Sequence, residues 1–141
     1  MRTTTLPGLP APLPELALGT MTFGDTVDLD GARAMVDVAL DAGVTSIDTA
    51  NGYAAGRSET MLGEILRGRR DRVLLATKAG IYPGDAGGQP LLSRAGLRAS
   101  LEASLRRLGT DHVDLFYLHQ PDRSVPLDET AAALAEVVDA G

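Results

Sequence analysis

The 141-residue sequence predicts a parallel α/β fold made of four βα units in succession. Three observations carry this. Short apolar runs of strand length alternate strictly with longer runs of helical periodicity. The strand-like runs begin near residues 16, 44, 73 and 113, which leaves room for a crossover helix each time. The run at 73–78 is almost continuously apolar, as a parallel strand covered on both faces must be. Crossovers of this kind are right-handed.

In order along the chain, residues 1–15 form a Pro-rich lead, and residues 16–141 form the folded unit. Residues 16–20 read as the first strand. A helix then starts at Asp30 as N-cap, with Ala34, Met35, Val38, Ala39 and Ala42 on its apolar face and Gly43 as its stop. The β-branched run 44–48 is the second strand, followed by a loop at 49–57. Ser58 is expected to cap a second helix whose stripe is Met61, Leu62, Ile65 and Leu66, with Glu59 favouring its positive start. Residues 73–78 are the third strand, and the Gly- and Pro-rich loop 79–92 is long enough to be functional. Ser93 caps a third helix with Leu97, Leu101, Leu105 and Leu108 as core, and Gly109 ends it. Residues 113–119 are the fourth strand. The fourth helix, 126–140, turns Leu127, Leu134, Val137 and Val138 inward, with Gly141 as terminator. An open doubly wound sheet and part of a (βα)8 barrel both fit. Neither G-x-G-x-x-G nor G-x-x-x-x-G-K-[ST] occurs, so the nucleotide fingerprints of the open-sheet class are missing.

Composition narrows the functional classes. A net charge of −6 argues against nucleic-acid binding. With 44% apolar and 23% charged residues the chain is of ordinary globular composition rather than disordered. No apolar run approaches membrane-spanning length, and prolines at 7, 10, 12 and 14 break up any apolar leader. Cysteine is absent, which removes disulfides, thiolate metal sites and cysteine nucleophiles, and no metal site is expected. A reducing, cytoplasmic setting is the default expectation. Of the 13 basic residues only Lys78 is lysine.

In parallel βα folds, reactive groups collect at the carboxyl ends of the strands. Those ends carry Asp48, Tyr53 in the loop beyond it, Lys78 and His119. Each alone has a structural explanation: a turn Asp, a half-buried Tyr, an ion-paired Lys, a core His. Together they suit carbonyl chemistry. Asp48 would pair with Lys78, and an ammonium beside a phenol favours the phenolate, which makes the phenol a usable proton donor near neutral pH. His119 could orient a substrate oxygen. Such a set protonates a carbonyl oxygen while a hydride attacks carbon, so a bound hydride donor is required. His112 and Asp114 fall at the opposite face, as an exposed loop residue and a structural carboxylate. The arginines of 67–72 complement a helix C-terminus.

The run 43–63, GVTSIDTANGYAAGRSETMLG, resembles the aldo-keto reductase signature around that family's Asp and Tyr. Residues 18–24 (LGTMTFG), Thr77-Lys78 and residues 104–122 (SLRRLGTDHVDLFYLHQPD) match in order, so the resemblance covers about residues 16 to 140. It implies a (βα)4 N-terminal half of a TIM-type (βα)8 barrel, truncated after the fourth helix. It implies NADPH, less often NADH, as cofactor and a small-molecule aldehyde or ketone as substrate. It also implies Tyr53 as proton donor, Lys78 and Asp48 as tuners of its acidity, and His119 as substrate orienter. Gly19, Thr20, Met21 and Asp48 would lie near the nicotinamide. The nicotinamide-stacking residue and the loop gripping the adenosine phosphate would belong to strands five to eight. Two features depart from the family pattern: the Pro-rich lead in place of a β-hairpin, and Ala54 where Gly often follows the Tyr. A noncatalytic family member, such as a potassium-channel β-subunit, is the alternative. Those subunits carry Asn where this chain has His119, which favours a reductase lineage. Half a barrel would leave two strand edges and an apolar inner face uncovered. Self-association through those edges is therefore expected, with little or no activity in the chain alone.

Overall fold

A computed structural model describes residues 2–140; Gly141, expected to terminate the last helix, lies outside the described residues. The lead is more ordered than its prolines suggest. Strands β1 (Thr3–Thr4) and β2 (Leu13–Pro14) form a short antiparallel pair, with Gly8 in the left-handed region between them. Two-residue strands need few amide donors, and Pro14, which has none, is tolerated where only one side is paired. The expectation that the lead replaces a hairpin is corrected accordingly.

Four parallel strands follow in sequential order: β3 (Ala17–Gly19), β4 (Ser46–Asp48), β5 (Leu74–Ala79) and β6 (Leu115–Leu118). Between and after them run α1 (Leu29–Asp41), α2 (Arg57–Ile65), α3 (Arg94–Leu108) and α4 (Leu127–Asp139). Among the described residues β3 and β6 each pair with a single neighbour in this sheet. The main core lies between the sheet and the first two helices and includes Phe23, Val36, Ile47, Leu62, Ile65 and Leu75. No described helix is long and apolar enough to cross a membrane.

Several helix details differ from the sequence expectation. Asp28, not Asp30, caps α1, its Oδ1 accepting from the Gly31 amide. The buried stripe of α1 is Ala32, Val36 and Leu40, while Met35 and Val38 are exposed. Both stripes carry large and small apolar residues, and the one with Val36 and Leu40 packs with Phe23 and Ile47 in the core. Gly56 with φ 87 precedes α2, and Ser58 sits inside the first turn. The α3 ends are as expected: Ser93 accepts from the Gly96 amide and Gly109 closes the helix with φ 64. Its deeply buried face, however, is Gly96, Leu97, Ser100, Ala103, Ser104 and Leu108, with Leu101 and Leu105 only half-buried. Small residues are needed there because a Cβ on Gly63 of α2 would overlap the Arg107 carbonyl oxygen. In α4, Thr130 and Ala133 are buried and Leu127 and Val138 are exposed. Thr130 Oγ1 donates to the Leu92 carbonyl, which fixes the face that helix presents.

Candidate active site

Register brings the strand ends together: Gly19 lies beside Asp48, and Asp48 beside Ala76, two residues before Lys78. Alternation along β5 sends successive side chains to opposite faces. Leu75 joins the helix-side core and Thr77 bonds Glu59 of α2, so Lys78 takes the other face.

There Lys78 Nζ donates to Asp48 Oδ2 at 2.6 Å, to the Thr49 carbonyl at 2.8 Å and to the Tyr53 phenol oxygen at 3.1 Å. An ammonium has three protons, and these contacts use all of them. The phenol oxygen is thus an acceptor toward Lys78, and its own proton points elsewhere. Among the described residues nothing accepts that proton. Asp48 Oδ1 likewise has no protein donor among the described residues. The pair is accessible, with Lys78 15% and Asp48 32% exposed.

His119 follows β6, its amide donating to the Ala79 carbonyl at 2.8 Å. Its ring meets the Tyr53 ring edge to face, with centroids 5.8 Å apart and planes at 83°. Burial pushes the His119 pKa below its usual 6.5, the Lys78 ammonium pushes the same way, and Asp48 opposes both. The imidazole is neutral at neutral pH, one nitrogen a donor and the other an acceptor. Its Nδ1 is buried without a protein partner.

Tyr53 stands on a short 3-10 turn, Tyr53–Gly56, in which Ala54 (φ 49, ψ 35) and Ala55 (φ 55, ψ 44) are both left-handed. A left-handed alanine costs roughly 1–2 kcal/mol, so this turn must be held by its surroundings.

The residues expected beside a nicotinamide divide. Gly19 is exposed with open space where a Cβ would be, Met21 is 65% exposed, and Asp48 has a free acceptor oxygen. These fit a polar ring lying at the strand ends. Thr20 differs from them in exposure: it is fully buried, its hydroxyl bonded to Ser58 Oγ and to the Asp48 carbonyl. With Thr49 also bonded to Ser58, it ties β3, β4 and α2 together.

On the other side of β5 lies an ionic cluster that sequence reading missed. Glu59 is fully buried and accepts from Thr77 Oγ1 and from Arg107 Nε at 2.8 Å. Arg107 also grips Asp85 through Nη1 at 2.9 Å and Nη2 at 2.6 Å. Asp85 in turn accepts from Asn51 Nδ2 at 3.1 Å. Burial opposes the Arg107 charge, but the bonds to Asp85 and Glu59 outweigh it and the pKa moves up. A signal existed in the sequence: Arg107 continues the i, i+3, i+4 row of small residues Ser100, Ala103 and Ser104, which places a guanidinium on a close-packed face. At the far end of the sheet, Asp114 accepts from Arg70 and from the Leu75 amide, and His112 is exposed.

The aldo/keto reductase family model matches residues 15–141. The chain is 41% identical over 138 residues to L-glyceraldehyde 3-phosphate reductase of Escherichia coli K12, covering 92% of this chain and 39% of that protein. It is 42% identical to the human aflatoxin B1 aldehyde reductase member 2, covering 88% and 34%. It is 39% identical to a probable voltage-gated potassium channel subunit beta of rice, covering 86% and 38%. It therefore spans about two fifths of the length of these curated relatives or less. Among solved structures, the holo form of the aldo-keto reductase AKR11C1 from Bacillus halodurans superimposes with a TM-score of 0.86 at 36% identity, over 100% of this chain and 47% of that one. The four βα units thus correspond to part of a TIM-type barrel, and the chain belongs to the aldo/keto reductase family.

Proposed function

We propose that this chain supplies the acid–base machinery of an NAD(P)H-dependent reductase that converts an aldehyde or ketone to an alcohol. The observation that carries the reading is the bonding of Tyr53: its oxygen accepts from Lys78, and its proton is free of any described protein acceptor. A phenol in that state can give its proton to a substrate oxygen at the mouth. As the proton leaves, negative charge grows on an atom already bonded to an ammonium, so Lys78 stabilises the product of the transfer. Asp48 and the Thr49 carbonyl fix where that ammonium points. Neutral His119, beside the Tyr53 ring, offers an N–H to hold the carbonyl oxygen without competing as a strong acid. Gly19, Met21 and the free oxygen of Asp48 would border the cofactor, which supplies hydride to the carbonyl carbon when bound. NADPH is the favoured donor, with NADH as the lesser one, and the carbonyl compound is a small molecule.

The kept His119 favours this reading over that of a noncatalytic subunit. The test is the residual reduction of a small aldehyde, however weak in the chain alone, measured with excess NADPH and compared with Tyr53→Phe. The expected loss is on the order of 10²–10⁴-fold, with cofactor binding retained. A Tyr53→Phe chain that keeps its rate overturns the proposal.

A further inference from the structure

We infer that Asp85 and Arg107 form a positioning clamp that sets Tyr53 against Lys78; the inference rests on the proton-donor reading of Tyr53. Both ends of the segment carrying Tyr53 are gripped by one guanidinium. Upstream, Arg107 holds Asp85, and Asp85 accepts from Asn51, two residues before Tyr53. Downstream, the Arg107 side chain packs closely on Gly56, where an added Cβ would come within 2.8 Å of Cδ and Nε. Beyond that it bonds buried Glu59 in the first turn of α2. Between these anchors stand Tyr53 and the two left-handed alanines.

Such a turn does not hold itself. Two alanines in the left-handed region would relax toward ordinary helical or extended geometry if either end were released, and the phenol would move with them. The loop carrying Asp85 adds a lid over the same segment: a Cβ on Gly52 would come within 2.9 Å of Ile81. The clamp touches neither the phenol nor the mouth. It acts on Tyr53 only through the backbone, from behind the sheet, and so sets the 3.1 Å separation from Lys78 Nζ. Asp85 is the informative member because its removal frees Asn51 while leaving the Arg107–Glu59 pair in place.

The test uses the complete chain with Asp85→Ala and Asp85→Glu. Two readouts are taken: NMR of the Tyr53 ring with amide exchange at Asn51 and Tyr53, and kinetics of aldehyde reduction. In Asp85→Ala the Tyr53 ring resonances should shift and those two amides should exchange about tenfold faster, a local opening rather than a global one, with α1 amides unchanged. The rate should fall about tenfold to a hundredfold through kcat, as for a misplaced catalytic group, at little change in KM for the aldehyde. Asp85→Glu, which keeps a carboxylate, should recover part of both. A merely structural role would lower the thermal midpoint and speed exchange throughout while leaving the kcat-to-KM split unmoved. Should Asp85→Ala fail to fold, Asp85→Asn is read for the same Tyr53 signals at reduced size. Unchanged Tyr53 resonances and exchange in the folded variant overturn the clamp. Shifted Tyr53 resonances with an unchanged rate of aldehyde reduction uphold the clamp and refute the proton-donor reading of Tyr53.

Discussion

Thr77 and Lys78 are neighbours in β5, yet each anchors a different ionic cluster on opposite faces of the sheet. Behind the sheet, every charged atom is matched: Glu59 uses both oxygens, Asp85 both oxygens, and Arg107 its Nε and both terminal nitrogens. Glu59 is fully buried and Asp85 is 9% exposed. In front, the Lys78 ammonium is saturated, but one Asp48 oxygen and the phenol proton of Tyr53 are unclaimed among the described residues, and the cluster faces solvent. The two clusters use the same kinds of groups. What separates them is how fully their charges are paired: matched charges fix geometry, whereas unspent charged and proton-donating atoms at an open face are what a substrate can engage.

That contrast predicts opposite responses to losing one member. Glu59→Ala opens a gap at a fully buried position and strips Thr77 and the Arg107 Nε of their partner, while Arg107 keeps Asp85, so a cost of about 2–3 kcal/mol is expected. Lys78→Met leaves Asp48, which at 32% exposure can take water in place of the ammonium, so the cost in stability should be smaller, about 1 kcal/mol, although the reaction should suffer heavily. Urea unfolding of the two variants checks the difference. Equal destabilisation would mean that the front cluster is as structural as the rear one.

A smaller effect is expected with pH. His119 titrates below its ordinary 6.5 because of burial and the Lys78 charge. Below pH 6.5 the unfolded chain takes up a proton that the folded chain refuses, so the contribution of neutral His119 is complete above about pH 6.5 and is lost as pH falls through that window. The slope of thermal midpoint against pH between 5 and 7 should flatten in His119→Gln. An unchanged slope would place the titrating group elsewhere.

How far these features could be read from the chain depends on what kind of signal each leaves. The βα alternation was legible because periodicity is a local property, and so was the α3 cap, where Ser93 precedes a clear apolar run. Asp48, Lys78 and His119 could be grouped because each lies at the carboxyl end of a strand, and Tyr53 because it lies in the loop that follows Asp48. The inward faces of α1 and α4 were not legible. Alanine-rich helices offer two stripes of similar area, and only the partner surface chooses between them. Glu59 was read only as favouring the positive start of a helix, since an acidic side chain there has an ordinary explanation in the dipole. Its burial follows from Arg107, 48 residues away, a distance at which no local pattern reports pairing. Thr20 was placed at the mouth by its motif, whereas its rotation toward Ser58 is a packing outcome.

The smallest effect concerns Ala54, which occupies a left-handed position that suits glycine. Ala54→Gly relieves roughly 1–2 kcal/mol of backbone strain and returns about 0.4–1 kcal/mol through the greater freedom of the unfolded chain. A net stabilisation of no more than about 1.5 kcal/mol is expected from those two figures, where the same change in an ordinary helix would destabilise. Denaturant unfolding gives the sign directly, and a loss of stability would mean that the turn is not strained. The substitution also probes the rear clamp. If Asp85 and Arg107 hold a turn that would otherwise relax, then removing the strain should make the clamp less necessary. Asp85→Ala should therefore perturb the Tyr53 ring less in an Ala54→Gly background than in the parent, and the two changes should be non-additive. Strict additivity would separate the strain at Ala54 from the ionic cluster behind the sheet.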